Sequence, residues 1–373
     1  MKNRIFSYTR WSMPLLRLLL LTISTATLVT AQESKHTYTL GANAYQGFLL
    51  VPSENVAQFA QTRPVGVELF INKNTYGYSY WEHRYACPDI GFSLTYTDYL
   101  NPVLGQSIGG TLYMDVPLMR RQRSLLTLGL GVGLGYHTRP YRPPIETGNI
   151  LLGTPVTLTM RTQLTYSYVL SSHWRANLSA KLIHYSNAAY SIPNRGVNMP
   201  MVNLGVSRRL SEQAPAYATA AEVSPPEPYQ RLSYYLGVST GMKTLTTEGP
   251  LYNFVNLHAY TTLRLSAISG LTGGVDVFLD QATRNYIRQR VAHDRPDHRR
   301  VALVAGHELF YQRLSLLTQV GVYVYRPFRN LYLPVYQRFG VRYALTRHLL
   351  GNFTLKVHGG RAELVELGLG VRL

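Results

Sequence analysis

The sequence predicts an all-β protein, an antiparallel transmembrane β-barrel with about 16 strands. Charged residues make up only 15% of the 373-residue chain, whereas soluble domains average about 25%. The chain also contains 29 Tyr and 30 Gly, and 20 Pro spread along it disfavour long helices. Apolar and polar residues alternate over segments long enough for a tilted strand to cross a bilayer.

The first 31 residues are predicted to be a signal peptide. Basic side chains precede an apolar run at residues 15–29, and small residues up to Ala31 form a cleavage pattern. The run is short for a spanning helix, which needs about 20 residues. No later segment is apolar enough for such a helix. We therefore expect an exported chain whose spanning structure is a barrel in the Gram-negative outer membrane.

Individual strands are predicted from their alternation. Residues 156–170 place apolar side chains on one face and Thr, Arg, Gln and Ser on the other. Residues 126–136 repeat the pattern with Gly and Thr on the second face, and small inward residues suit a narrow, filled barrel. Fourteen further segments behave similarly: 40–50, 66–73, 90–99, 107–117, 173–186, 201–209, 232–242, 254–265, 271–279, 301–311, 314–325, 335–344, 352–358 and 362–373.

The strands fall into two halves, residues 32–210 and 230–373. Residues 211–229 are rich in Ala, Glu and Pro, lack alternation, and are predicted to be a linker. Each half has about eight strands, so two barrels and one larger barrel both remain open. Short connections, expected on the periplasmic side, alternate with long ones, expected outside. The short ones are 72–75, 119–124, 171–172 and 312–313, and the long ones are 52–64, 138–155, 187–200 and 281–299.

One segment, residues 184–198, carries side chains suited to chemistry. The alternation of the strand that enters it predicts that His184 and Ser186 face lipid at the outer end. Polar groups on the lipid face are disfavoured, so their presence suggests a use. A serine near a histidine is the minimum for an activated acyl-transfer nucleophile.

The motif His-x-Ser-Asn followed by Pro-Asn-x-Gly resembles the outer-membrane lipid A 3-O-deacylase family and the looser group of acyloxyacyl hydrolases. Those enzymes are eight-stranded barrels with a serine hydrolase site on the outer wall. The resemblance implies that His184 is the general base and Ser186 the nucleophile. It also implies that Asn187, Asn194 and Gly196 serve the oxyanion hole and the loop geometry.

The sequence departs from the family pattern at Asn198, where a glutamate would close the motif. An Asn carbonyl can still accept the His184 Nδ1 proton and fix the tautomer. It supplies no negative charge, so we expect a slower enzyme or an acid from another outer loop. Glu146 is the carboxylate we would nominate.

The implied activity is serine-type hydrolysis of an ester-linked acyl chain of lipid A, the anchor of lipopolysaccharide, with no metal and no organic cofactor. The single cysteine, Cys87, excludes an intramolecular disulfide and a cysteine-based zinc cluster. Arg139 and Arg142 flank the active loop and are candidates for binding the substrate's phosphates. Their alternative role is a basic rim without specificity. Nucleic acid is not expected as a partner of an exported barrel, despite the net charge of +18.

Two other functions remain open at this stage. Ser-Asn and Pro-Asn-Arg-Gly are also good turn sequences, so the protein could be a non-catalytic channel or structural barrel. A phospholipase is the other alternative. His358 and Glu363, near the last predicted outer turn, could form a second site or a solvated rim. The sequence does not indicate which acyl position is cleaved, nor the oligomeric state.

Overall fold

The computed structural model describes residues 35–51, 54–142, 148–291 and 296–373. The expected signal peptide and Glu146 lie outside these described residues. Within them, no helix is long and apolar enough to cross a membrane.

The first barrel closes from eight antiparallel strands. Each strand pairs with its neighbour in the chain, and the last pairs with the first. The strands are β1 (Thr37–Gly47), β2 (Val65–Asn74), β3 (Asp89–Asp98), β4 (Gln106–Arg120), β5 (Ser124–His137), β6 (Val156–Val169), β7 (Trp174–Ser186) and β8 (Val197–Arg209). A 3₁₀ helix (Glu54–Phe59) lies between β1 and β2, and a short helix α1 (Tyr80–Arg84) lies between β2 and β3.

The second barrel repeats this topology, so the predicted fold class is confirmed. Of the two arrangements that the sequence left open, two separate eight-stranded barrels are observed. Its last strand again pairs with its first. The strands are β9 (Leu232–Lys243), β10 (Tyr252–Ser266), β11 (Ser269–Asp280), β12 (Arg300–Tyr311), β13 (Leu314–Tyr325), β14 (Val335–Ala344), β15 (Leu349–His358) and β16 (Arg361–Arg372). Helix α2 (Gln281–Arg290) follows β11.

The outer wall is apolar and the interior is filled, as β5 illustrates. Leu130, Val132 and Leu134 are exposed on the outer face. The glycines between them point inward, where a Cβ at Gly131 would lie 2.7 Å from Tyr113 Cβ. Small residues here therefore give space to large side chains from the neighbouring strands.

The interior of the first barrel contains a buried charge cluster centred on Glu68. Its carboxylate lies 2.6 Å from Lys181 Nζ and 3.5 Å from Arg161 Nη1. It also accepts a 2.9 Å hydrogen bond from Asn43. Pairing of this kind offsets the desolvation of the charges, so removal of one partner is costly.

The interior of the second barrel is more highly charged. Glu363 lies 2.7 Å from Lys243, 3.0 Å from Arg300 and 2.8 Å from Lys356. His358 Nε2 is 2.9 Å from the same carboxylate. Both His358 and Glu363 are buried, so the solvated-rim interpretation of these two residues is wrong. The buried Glu363 carboxylate offsets positive charge of Lys243, Arg300 and Lys356 inside the barrel.

The connections gather at two ends of the first barrel. The end that holds the described parts of the β1–β2, β3–β4, β5–β6 and β7–β8 connections is called the site end, and the opposite end the turn end. The short turn expected at residues 72–75 is wrong, because the connection runs over residues 75–88 and includes α1. This segment is long because it packs: Trp81 is buried and meets the Tyr311 ring edge-on at 4.4 Å.

The two barrels touch at both ends, within the unit that spans residues 36–373. Trp81 and Tyr311 join them at the turn end. At the site end, the β9–β10 connection of the second barrel reaches the first, where Thr244 N donates to Ala189 O at 3.2 Å. Residues 211–229 contain no strand, and Ala218 N donates to Tyr76 O on the 75–88 connection. The loops of both barrels therefore meet at the site end.

We expect Glu68→Ala to lower the free energy of unfolding by about 3–5 kcal/mol, because Lys181 and Arg161 would stay buried without their carboxylate. Urea titration of detergent-solubilised protein, followed by the electrophoretic shift between folded and unfolded barrel, measures this. Leu130→Ala on the exposed outer wall is the matched control and should change stability little. Equal losses from the two substitutions would contradict the assignment of the cluster as a structural centre.

Candidate active site

The site is positioned by Tyr185, the residue between His184 and Ser186 on β7. Tyr185 is fully buried, and its ring meets the His137 ring edge-on at 4.9 Å. Gly135 makes room for it, since a Cβ there would lie 2.7 Å from the tyrosine ring. Neighbouring side chains on a strand point to opposite faces. His184 and Ser186 therefore lie on the outer wall, where both are half-buried.

His184 is oriented by Asn198 across the β7–β8 ladder. The two residues are directly paired in register, and His184 Nδ1 lies 2.7 Å from Asn198 Oδ1. The amide oxygen can only accept, so Nδ1 carries the proton and Nε2 is left as an acceptor. The backbone of Asn198 is itself fixed, because its carbonyl accepts from Leu50 N at 2.9 Å.

Ser186 Oγ accepts two hydrogen bonds. Asn194 Nδ2 donates at 2.9 Å and the backbone N–H of Ala188 at 3.1 Å. Of the hydrogen bonds among the described residues, none joins Ser186 Oγ to the His184 imidazole. In both bonds the hydroxyl oxygen of Ser186 is the acceptor, so the hydroxyl proton takes part in neither.

Asn187 and Gly196 shape the loop that follows β7. Asn187 Nδ2 donates to Ser191 O at 2.9 Å, and Asn187 N donates to Asn194 Oδ1 at 3.3 Å. The Asn187 amide therefore braces the loop, whereas the Asn194 amide reaches Ser186. Gly196 has φ +75°, and a Cβ there would lie 3.0 Å from His184 Cε1, so only glycine fits beside the imidazole.

A second support comes from residues 148–152, which the sequence analysis did not single out. Gly196 N donates to Leu151 O at 2.9 Å. The segment is held by Asn149, whose side chain donates to Arg139 O at 2.5 Å and accepts from Leu151 N at 3.1 Å. Asn149 is fully buried. A lone Asn beside the apolar residues 150–152 was the signal available in the sequence.

The expected phosphate-binding arginines are not brought onto the serine. Arg139 Nη1 donates to Pro102 O at 2.6 Å and lines a cavity of about 460 Å³ beside the β3–β4 connection. Arg142 is exposed. Within the described part of the chain, neither arginine hydrogen-bonds to His184 or Ser186. Their assignment to substrate phosphates stays a prediction.

The second barrel contains a hydrogen-bonded series that imitates a catalytic triad. Ser239 Oγ lies 2.7 Å from His258 Nε2, and His258 Nδ1 lies 2.8 Å from Asp276 Oδ1. All three residues are buried inside the barrel, and Asp276 also pairs with Arg338 at 2.6 Å. A buried, charge-neutralised series of this kind stabilises the interior and offers no place for a lipid substrate.

The closed barrels with apolar outer walls are of the outer-membrane class, and the first brings His184, Ser186, Asn194 and Asn198 together at its site end. Comparison with protein families agrees. The model for lipid A 3-O-deacylase matches residues 65–207, and that for the C-terminal domain of acyloxyacyl hydrolase matches residues 232–373. The chain belongs to the lipid A 3-O-deacylase family, whose members are outer-membrane enzymes.

Three similar solved structures are distant in sequence. Neisserial surface protein A is 8% identical, with 47% of this chain and 98% of that chain covered and a TM-score of 0.33. The Pseudomonas putida toluene transporter TodX is 9% identical, with 92% and 88% covered and a TM-score of 0.17. The β domain of the Bordetella autotransporter BrkA is 10% identical, with 91% and 99% covered and a TM-score of 0.23. A search of curated proteins gives no match.

We expect Gly196→Ala to reduce ester cleavage by about tenfold, because the added Cβ would push the imidazole away by a few tenths of an ångström. Gly360→Ala is the matched control. It has a similar positive φ of +82°, but a Cβ there meets nothing within 4 Å. Release of fatty acid from lipopolysaccharide measures both variants. A similar loss in the two would mean that backbone strain alone is responsible.

Proposed function

We propose that the protein removes an ester-linked acyl chain from lipid A with Ser186 as nucleophile and His184 as general base. The observation that carries the proposal is the 2.7 Å bond from His184 Nδ1 to Asn198 Oδ1, beside a serine held on the same outer face. This bond leaves Nε2 free to take a proton. Family membership supports the same reaction and the outer membrane as its location.

The position of the pair on the wall supports a lipid substrate. Towards the turn end, the same face of β7 continues with Leu182, and Met160 lies opposite His184 on β6. Both are exposed apolar side chains. We propose that the site end faces the outer leaflet. In this orientation, an acyl chain lying along this surface would place its ester carbonyl near Ser186.

In the acylation step, Ser186 Oγ attacks the carbonyl carbon while His184 Nε2 takes its proton. Catalytic hydrogen bonds are often long without substrate and close in the reactive complex. The donors that now bind Oγ, Asn194 Nδ2 and Ala188 N, would then serve the developing oxyanion. A single such donor typically contributes about 2.7–4 kcal/mol to transition-state stabilisation.

The tetrahedral intermediate collapses when the alcohol oxygen of the cleaved ester leaves and takes the proton from His184. This leaves the acyl chain esterified to Ser186. Water then attacks the acyl-enzyme, with His184 again as base, and releases the fatty acid and the free serine. Every proton moves through the imidazole, and the step needs no metal or organic cofactor.

Asn198 replaces the acid of the family motif, and the structure suggests what it can still do. In a serine protease, replacement of the acid by Asn is severe because the histidine is then held in the wrong tautomer. Here Asn198 Oδ1 accepts from Nδ1, so the productive tautomer is retained. The negative charge that would stabilise the imidazolium is missing. We propose that turnover is therefore slower than in an enzyme that keeps the acid of the motif.

The filled interior of the first barrel disfavours a channel. A cavity there measures about 40 Å³, enough for only a few water molecules, and its lining includes Glu68, Arg161 and Gln163. The loops at the site end add an apolar cluster that includes Phe59, Leu152 and Met199. No comparable observation favours a phospholipase over a lipid A deacylase.

We expect Ser186→Ala to lower deacylation by about 10³-fold or more, as loss of a serine nucleophile does elsewhere. Ser191→Ala, on the same loop, is the matched control and should keep near-normal activity. Mass spectra of lipid A from cells expressing each variant measure the effect. Identical lipid A from cells expressing the wild type and cells expressing Ser186→Ala would contradict the proposal. Faster release of fatty acid from phosphatidylethanolamine than from lipopolysaccharide would indicate a phospholipase.

We expect Asn198→Ala to slow deacylation by about 3–10-fold, because one neutral hydrogen bond to Nδ1 is lost. Asn198→Glu should raise the rate above that of the wild type, because a carboxylate stabilises the imidazolium. The two variants form a matched pair, measured by initial rates on purified lipopolysaccharide. No effect from either would remove Asn198 from the mechanism.

A further inference from the structure

The second barrel reaches into the site of the first through the β9–β10 connection, residues 244–251. Thr244 is buried, and its backbone N–H donates to the carbonyl of Ala189 at 3.2 Å. Ala189 is the third residue after Ser186. The contact thus falls on the loop that holds the serine, although the donor belongs to the other barrel.

The loop that receives this contact has an unfavourable backbone. Ala188 and Ala189 have φ values of 53° and 63°, which non-glycine residues adopt at a cost of about 1–3 kcal/mol each. Such a conformation persists only where the surroundings hold it. It is also the conformation that aims Ala188 N at Ser186 Oγ, at 3.1 Å. The hydrogen bond to Ala189 O therefore supports the 189–190 peptide, two peptide units after the 187–188 peptide whose N–H contacts the serine.

A second contact follows a separate route from the same connection. Tyr141 Oη donates to Glu248 Oε1 at 3.4 Å, and Tyr141 N donates to Leu152 O at 2.8 Å. The neighbouring Leu151 carbonyl accepts from Gly196 N, beside His184. One route thus ends at the serine and the other at the histidine.

We propose that residues 244–251 of the second barrel are a positioning element of the active site in the first barrel. The proposal rests on the function proposed above for Ser186 and His184. Thr244 acts through the Ala188–Ala189 peptides, and Glu248 acts through Tyr141 and the 148–152 segment. Neither residue touches substrate. The second barrel would thereby set the rate of the chemical step while leaving substrate affinity unchanged.

The main test compares Thr244→Pro with Thr244→Ala in the full-length protein. Proline removes the N–H that binds Ala189 O, and the preceding Lys243 ends strand β9, an extended conformation that a following proline accepts. Alanine keeps the N–H. Both variants lose the hydrogen bond from Thr244 Oγ1 to Thr246 O. We expect kcat to fall about tenfold in Thr244→Pro at constant KM, and to stay within about twofold in Thr244→Ala.

A fluorophosphonate probe separates positioning from folding. The rate constant for labelling Ser186 should fall in Thr244→Pro, while the final labelled fraction stays that of the wild type. A reduced labelled fraction with an unchanged rate constant would mean fewer folded molecules and would overturn the proposal. Equal rates in the two variants would overturn it as well, with the Ser186 mechanism intact. Failure of the wild type to label at Ser186 would instead remove the proposed function, and this inference with it.

A milder pair of substitutions covers the case in which Thr244→Pro does not fold. Tyr141→Phe and Glu248→Ala each remove one partner of an exposed contact. We expect each to lower kcat about twofold, and the double variant to lower it no further, since both remove the same interaction. Independent, multiplying effects would show that the contact does not link the barrels to the site.

Discussion

The structure depends on the need to satisfy every backbone N–H and C=O within a membrane. In lipid no water can pair with an open sheet edge, so strands must close into barrels. Closure fixes the face of every side chain, because neighbouring residues on a strand alternate. On β7 this places Lys181 and Tyr185 inside and Leu182, His184 and Ser186 outside. The candidate site is a direct consequence, since a one-residue shift in register would turn the imidazole and the hydroxyl into the interior.

The interiors of both barrels contain buried charge clusters beside their apolar and aromatic side chains. Glu68 in the first barrel and Glu363 in the second each lie among several cations. A buried ion pair contributes little net stability against apolar residues of the same size, but a broken one is costly. These clusters therefore favour one arrangement of strands over its alternatives. The Ser239–His258–Asp276 series belongs to the same kind of network, and its burial inside the barrel distinguishes it from the half-buried pair on the outer face of β7.

The site end is where the regular wall gives way to loops that hold unfavourable conformations. Ala188, Ala189 and Gly196 all have positive φ, and the last two are held by contacts from other segments. Residues 148–152 hold Gly196, and the β9–β10 connection of the second barrel holds Ala189. Backbone strain of this kind commonly marks functional sites. It also explains how a second barrel without the motif can matter to the chemistry of the first.

The sequence by itself determined the strands, the two halves and the facing of His184 and Ser186, because a period of two is a local property of the chain. It also indicated Asn198 as the partner of His184, through the family resemblance. Only the tertiary structure decided that each half closes on itself, that the 75–88 connection packs instead of turning, and that His358 and Glu363 are buried. It likewise revealed Asn149 and Thr244, which reach the site from distant parts of the chain. Pairings of this kind depend on which segments meet in space, and no local pattern encodes that.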